Sequence, residues 1–115
     1  MDTQPPKLPR DDVDAMLDQP SSPGLELVPL SVGVHADDLP WAEEVCARLA
    51  AHADARVRAN AIVGFAHLAR RFHNLSFIAQ AIVQASQKDP DAAVREQAVA
   101  AVAELRRSLR PHAGG

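Results

Sequence analysis

A chain of 115 residues with 47% hydrophobic but only 3% aromatic side chains, no Tyr and a single Cys is one domain with a modest aliphatic core. One Cys excludes an internal disulfide and a cysteine-rich metal site, no apolar run reaches the roughly 20 residues of a membrane helix, and residues 1–10 lack the apolar stretch of a signal peptide, so a cytoplasmic protein without membrane association is expected. The net charge of -3 is unevenly spread: residues 1–45 hold ten carboxylates against Lys7 and Arg10, whereas the remainder holds ten cations against five carboxylates. Such an acidic leader can fold back on the basic body or repel nucleic acid from it.

In chain order, residues 1–24 carry Pro5, Pro6, Pro9, Pro20 and Pro23 with Ser21, Ser22 and Gly24, a composition that closes no core by itself. Val13, Met16 and Leu17 at i, i+3 and i+4 behind acidic residues predict one short helix over 11–19. Residues 25–34, interrupted by Pro29 and Gly33, read as an extended arm or a loose helical turn laid on the first helical repeat. Asp37 or Asp38 then caps a helix with Pro40 in its first turn and Trp41, Ala42, Val45, Cys46 and Leu49 on its apolar stripe. Asp54 caps a second, on which Val57, Ala61, Ile62, Phe65, Leu68, Ala69 and Phe72 share a side. His73 and Asn74 break it. A third helix over 75–87 is expected to turn Leu75, Ile78, Ala81, Ile82 and Ala85 inward, and a fourth, begun by Asp91, uses Val94, Ala98, Val99, Val102, Leu105 and Leu109 before Pro111. Gly64, mid-helix, predicts a close helix crossing that leaves no room for a side chain.

The last two helices repeat the two before them at an offset of 37 residues: Asp54 matches Asp91, Val57 Val94, Arg58 Arg95, Ala61 Ala98, Ile62 Val99 and Arg70 Arg107. Self-similarity at this period marks stacked helical units, each unable to hide its apolar face until a neighbour covers it. The expected fold class is therefore all-α, two stacked antiparallel helix pairs (40–73 and 75–110, within a domain over 37–110) preceded by an irregular, acidic, Pro-rich arm over 1–36 that is partly ordered on the first pair, and followed by a flexible tail over 111–115.

Asp-x-x-Val-Arg-x-x-Ala, present as Asp54, Val57, Arg58 and Ala61 and again as Asp91, Val94, Arg95 and Ala98, resembles the second helix of a HEAT repeat, and the Asp-Pro-Asp at 89–91 resembles the turn within that repeat. Residues 25–75, with WAEEVCARLA, VRANAIVGFAHLARRF and HNL, also resemble small bacterial HEAT-type proteins, some of which act as immunity proteins that mask a toxin. The resemblance implies a right-handed α-solenoid fragment whose second helices line a concave surface gripping another macromolecule, with no shared reaction. It thus implies a protein-binding scaffold, with a toxin as one partner, in place of an enzyme. Two repeats are fewer than the three or so that stability usually needs, so the leader supplies a cap or third layer, or the chain forms a homodimer.

Arg58 and Arg95 read as structural, each four residues after the acid that caps its helix, Asp54 and Asp91, with stacking expected to bring Arg58 near Asp91 as well. Arg56, Asn60, His67 and Arg71 recur about a turn apart on one side of the second helix and form the candidate partner-binding face. Nucleic-acid binding through Arg56, Arg70, Arg71, Arg106 and Arg107 is an alternative disfavoured by the acidic balance and scarce aromatics. A HEAT-like lyase is a further alternative with no nameable catalytic residue. The five His lack metal-ligand spacing, Cys46 reads as a buried inert thiol, and no phosphate loop or nucleophile elbow occurs, so no metal or cofactor is expected.

Overall fold

The computed structural model describes residues 4–109, so the tail expected over 111–115 lies outside the described residues. Six α-helices occur among them: α1 Arg10–Leu17, α2 Val28–His35, α3 Leu39–Ala50, α4 Ala55–Phe72, α5 Phe77–Ala85 and α6 Ala92–Ser108. Single 3-10 turns, Leu25–Leu27 and Ser86–Lys88, lead into α2 and out of α5. The described residues contain no strand. The fold is all-α, and α3 with α4 and α5 with α6 are the two antiparallel pairs.

Each helix of the pairs starts where a side-chain oxygen satisfies backbone N–H groups left free at a helix beginning. Asp38 accepts from Trp41 N (3.2 Å), Asp54 from Arg56 N (2.8 Å), Ser76 from Ala79 N (3.1 Å) and Asp91 from Ala93 N (2.8 Å) and Val94 N (3.3 Å). α4 ends at His73, whose left-handed backbone (φ 53°) turns its N–H onto Ala69 O at 2.8 Å.

α4 is the central element, with α2, α3 and α6 packed around it. Ala61, Ile62, Phe65, Leu68 and Ala69 of α4 are fully enclosed, and Ala42, Val45, Cys46 and Leu49 of α3 meet them. Two inward assignments are corrected. In α5, Ile78 is 74% exposed and Ala81 and Ala85 face out, while Ala79 and Val83 point in with Leu75. Gln80 and Gln84, a turn apart, are its two polar residues, so the sequence offers only a short, uncharged polar stripe to orient it. Its rotation is set by α3, where the Glu43 carboxylate accepts from the backbone N–H and hydroxyl of Ser76. In α6, Val99 is 59% exposed although its equivalent Ile62 is buried. The second pair covers Ile62, and among the described residues nothing covers the corresponding side of α6.

The leader is also corrected. Residues 28–35 form a regular helix in place of an extended arm or loose turn, with Leu25, Val28 and Val32 in the core. Pro29 sits in the first turn, where a missing N–H leaves no bond unmade. Gly33 faces Gly64 at the crossing of α2 over α4, so close that a Cβ on Gly33 would stand 3.0 Å from Gly64 Cα. Val13 and Leu17 of α1 are buried too. The body holds this leader chiefly through backbone carbonyls: Asn60 donates to Glu26 O (2.8 Å), Arg71 to Gly33 O (2.9 Å) and Ala36 O (2.7 Å), Arg48 to Leu17 O (2.9 Å), and His52 to Pro20 O (2.7 Å). Two carboxylates take part, Asp14 of the leader accepting from the Trp41 indole (3.1 Å) and Asp38, the cap of α3, pairing with Arg10 of the leader (3.1 Å).

Candidate partner-binding face

The two second helices, α4 and α6, run side by side in the same direction and leave a groove of about 210 Å³ between their outer sides. Val63, Ala66, His67 and Arg70 line it from α4, and Gln97, Ala100, Ala101, Glu104 and Arg107 from α6. Three of its lining residues, Ala66, Ala100 and Ala101, are small alanines.

Glu104 organises the polar end of this groove. Only 12% of its side chain is exposed, and it accepts from Arg70 (2.9 Å), Ser108 Oγ (2.8 Å) and, more distantly, Arg107 (3.5 Å). The Ser108 hydroxyl and the Arg70 guanidinium hold its carboxyl below the usual glutamate range. His67 is half-buried, and burial together with Arg70 and Arg71 pushes its imidazole below the usual histidine range. Arg70 approaches its Nδ1 at 3.4 Å. Arg70, Arg71, Arg106 and Arg107 all project from the C-terminal turns of the two helices, where the helix dipole favours cations. One carboxylate among four guanidinium groups leaves this end of the face electropositive.

The four residues expected to form the face do not lie open together. Arg56 is exposed and pairs with the acid that caps its own helix, Asp54, at 3.1 Å. Asn60 and Arg71 are engaged by the leader, Arg71 additionally stacking on the Phe72 ring at 5.0 Å. α2 lies over the middle of the stripe, which leaves His67 as its member in the groove. Arg70, Glu104 and Arg107 complete the site in their stead. The signal for them was the repeat itself, since Arg70 and Arg107 are equivalent positions and Glu104 stands three residues before Arg107.

The structural arginines act through the turns. The expected i, i+4 pairs with Asp54 and Asp91 do not form. Arg58 instead makes a two-pronged bond to Asp89 (2.9 and 3.0 Å) and donates to His52 O (3.0 Å) and Ala53 O (2.9 Å). Arg95 donates to Asp89 O (2.8 Å) and Pro90 O (3.0 Å), the carbonyls 37 residues after those held by Arg58. Each arginine thus closes the turn ahead of its own helix, and Arg58 also fastens the first pair to the second. Asp89 is the joint because its carboxylate also accepts Asp91 N at 2.9 Å. Stacking brings Arg58 to the first acid of Asp-Pro-Asp, while the second is occupied as a cap.

Among the described residues no group of three or more His, Cys, Asp or Glu side chains is placed to hold a metal ion, and no helix is long and apolar enough to cross a membrane. Three histidines donate to backbone carbonyls instead: His35 to Pro5, His52 to Pro20 and His73 to Ser108. Burial pushes the Cys46 thiol up to about 12.

What the fold and groove define is an all-helical domain with a charged surface groove between two repeated helices. No family model and no curated protein matches the sequence. Among solved structures the chain is similar to one in the crystal structure of a CDI complex from Cupriavidus taiwanensis LMG 19424, at 25% sequence identity and a TM-score of 0.82, over 96% of this chain and 98% of that one.

Proposed function

We propose that this chain is a protein-binding module of the immunity type, which neutralises a toxin by covering it, and that its two helix pairs are HEAT repeats. The observation that carries the reading is the end-to-end likeness to a chain of a CDI complex, a toxin–immunity pair. Of the two members, the immunity role suits the groove better. Its guanidinium and carboxylate groups are already paired with one another, an arrangement that recognises charge without presenting a nucleophile or a base aimed at a substrate. Arg58, Arg95 and the duplicated Asp caps support the HEAT reading, since they serve the same turns in both pairs.

The binding face is the α4–α6 groove and its electropositive end. A partner carboxylate arriving at Arg70 and Arg107 shares guanidinium groups that Glu104 only partly satisfies, in a site where Glu104 itself is largely withdrawn from water. The surplus positive charge accelerates encounter with an acidic surface and orients it. The test is co-expression of this chain with the product of the adjacent gene, followed by growth rescue and co-purification. Rescue and a stable complex are expected, with both weakened by Arg70→Glu plus Arg107→Glu. Rescue untouched by that double change would remove the groove from the reading, and an adjacent product that is neither bound nor neutralised would remove the immunity role.

A further inference from the structure

Two arginines of α4 fasten the first helix pair to the second. Arg58 directs Nη1 to the carbonyls of its own turn and gives Nε and Nη2 to the Asp89 carboxylate of the following pair (2.9 and 3.0 Å), and Arg70 gives Nε to Glu104 of α6 at 2.9 Å. Between them Ile62 is fully enclosed. At the 37-residue offset these three positions fall on α6 as Arg95, Val99 and Arg107.

On α6 the same groups are in place without, among the described residues, a following pair. Arg95 directs Nη1 to Asp89 O and Pro90 O (2.8 and 3.0 Å), as Arg58 does to its turn, and among the described residues its Nε and Nη2 bond nothing. Arg107 reaches Glu104 only at 3.5 Å and keeps 67% of its side chain exposed, and Val99, between the two arginines, is 59% exposed. Arg95 and Arg107 stand about 18 Å apart along the axis of α6, by the rise of an α-helix.

The charges on this side decide what fits it. Arg95, Val99 and Arg106 recur at steps of four and seven residues, with Glu96 and Arg107 beside them. Glu96 and Arg106 stand where α4 has the buried alanines Ala59 and Ala69, so a further uncharged hairpin would strip water from ions it leaves unpaired. A second copy turned about a two-fold axis would set these three arginines against the same three, with Glu96 the one carboxylate that this side offers. Three guanidinium groups to one carboxylate call for an acidic surface. The second pair already displays its form, an acid in a turn, Asp89, and an acid on a helix, Glu104, closing over an aliphatic side chain.

We propose that the open side of α6 is a docking surface for an acidic helical surface of the protein partner, which places one carboxylate on the open fork of Arg95 and a second on Arg107 and covers Val99 between them. This docking rests on the protein-binding reading above and extends its site. Arg107 also lines the α4–α6 groove, so the partner continues from the groove around α6 onto this side.

Titration of the full chain with the product of the adjacent gene tests this docking. Val99→Asp and Arg95→Glu are each expected to weaken binding at least about tenfold. Phe77→Asp, at an exposed position of α5, adds the same charge as Val99→Asp and is expected to leave binding within about threefold. Unchanged far-ultraviolet circular dichroism confirms that the variants fold, and Val99→Asp, which removes no hydrogen bond, keeps the test decisive where Arg95→Glu loosens the turn it closes. Binding that neither α6 change weakens overturns the docking and leaves the groove standing. Binding weakened equally by Phe77→Asp overturns it too, as an effect of net charge. A wild-type chain that does not bind the adjacent product at all overturns the immunity reading and this docking with it. Self-association of the wild type that Val99→Asp abolishes overturns the docking by assigning this side to a second copy.

Discussion

Replacing Gly64 with Ala sets two effects of opposite sign against each other. In an exposed helix interior the change is favourable by about 1 kcal/mol, through the higher helix propensity of alanine. Here a Cβ at position 64 would lie 2.8 Å from the Pro29 carbonyl oxygen and 2.9 Å from Cys46 Sγ, closer than such atoms can stand. The oxygen belongs to the backbone of the first turn of α2, and Cys46 is fully enclosed, so neither withdraws without moving a helix. Forcing one extra carbon into a packed core typically costs about 1–3 kcal/mol. The net expectation is a loss of up to about 2 kcal/mol, at roughly 4–8 °C in melting temperature for each kcal/mol at this size. Urea unfolding followed by circular dichroism measures it. Fluorescence of the single Trp supplies a second readout, because Trp41 touches the leader through Asp14 and Arg10 and senses its displacement. A Gly64→Ala chain more stable than wild type, with unchanged Trp41 emission, would refute the docking of α2 on α4.

Arg58→Ala removes four hydrogen bonds, two to Asp89 and two to the carbonyls before α4, and is expected to cost about 2 kcal/mol in urea unfolding, with Arg58→Lys recovering only part because it lacks the planar fork. The hydrogen bond from Arg58 holds the Asp89 carboxyl below 3.8, so its contribution is fully present above that unfolded value and disappears as pH falls through the lower folded one. Stability measured from pH 6 downward should therefore decline less steeply in Asp89→Asn than in wild type, and parallel acid limbs would contradict the assignment. Cys46, enclosed and with its thiol near 12, should resist a thiol reagent in the native protein and react on unfolding. Labelling as fast as that of free cysteine would contradict the enclosure.

The pairs were legible because each announces itself twice, by a cap and by a 3.6-residue stripe, and because Asp54 to Arg71 returns 37 residues later. α2 was not legible. Pro29 and Gly33 carry the marks of a broken segment, and only the partner helix reveals that one occupies a first turn and the other a crossing. The facing of α5 was lost for the opposite reason: two uncharged glutamines, Gln80 and Gln84, are a weak polar mark among so many apolar positions. Val99 follows from treating equivalent positions as equally covered, when covering depends on a neighbour. In the candidate face, Asn60 and Arg71 look like their free neighbours in sequence, and only the path of the leader shows that carbonyls at 26, 33 and 36 employ them. The roles of Arg58 and Arg95 were readable in kind, while the identity of Asp89 as the joint depended on which acid the cap had already used.

Calorimetric titration of the purified chain against the product of the adjacent gene bears most directly on the claim that the α4–α6 groove grips a protein. Arg70→Glu plus Arg107→Glu should weaken binding at least about 100-fold, from loss of charge-assisted bonds and introduced repulsion, whereas Asp11→Asn plus Asp12→Asn, at exposed positions of α1, should leave it within about threefold, the range of a rim charge. Equal affinity for wild type and the groove variant, with loss confined to the α1 variant, would contradict the account.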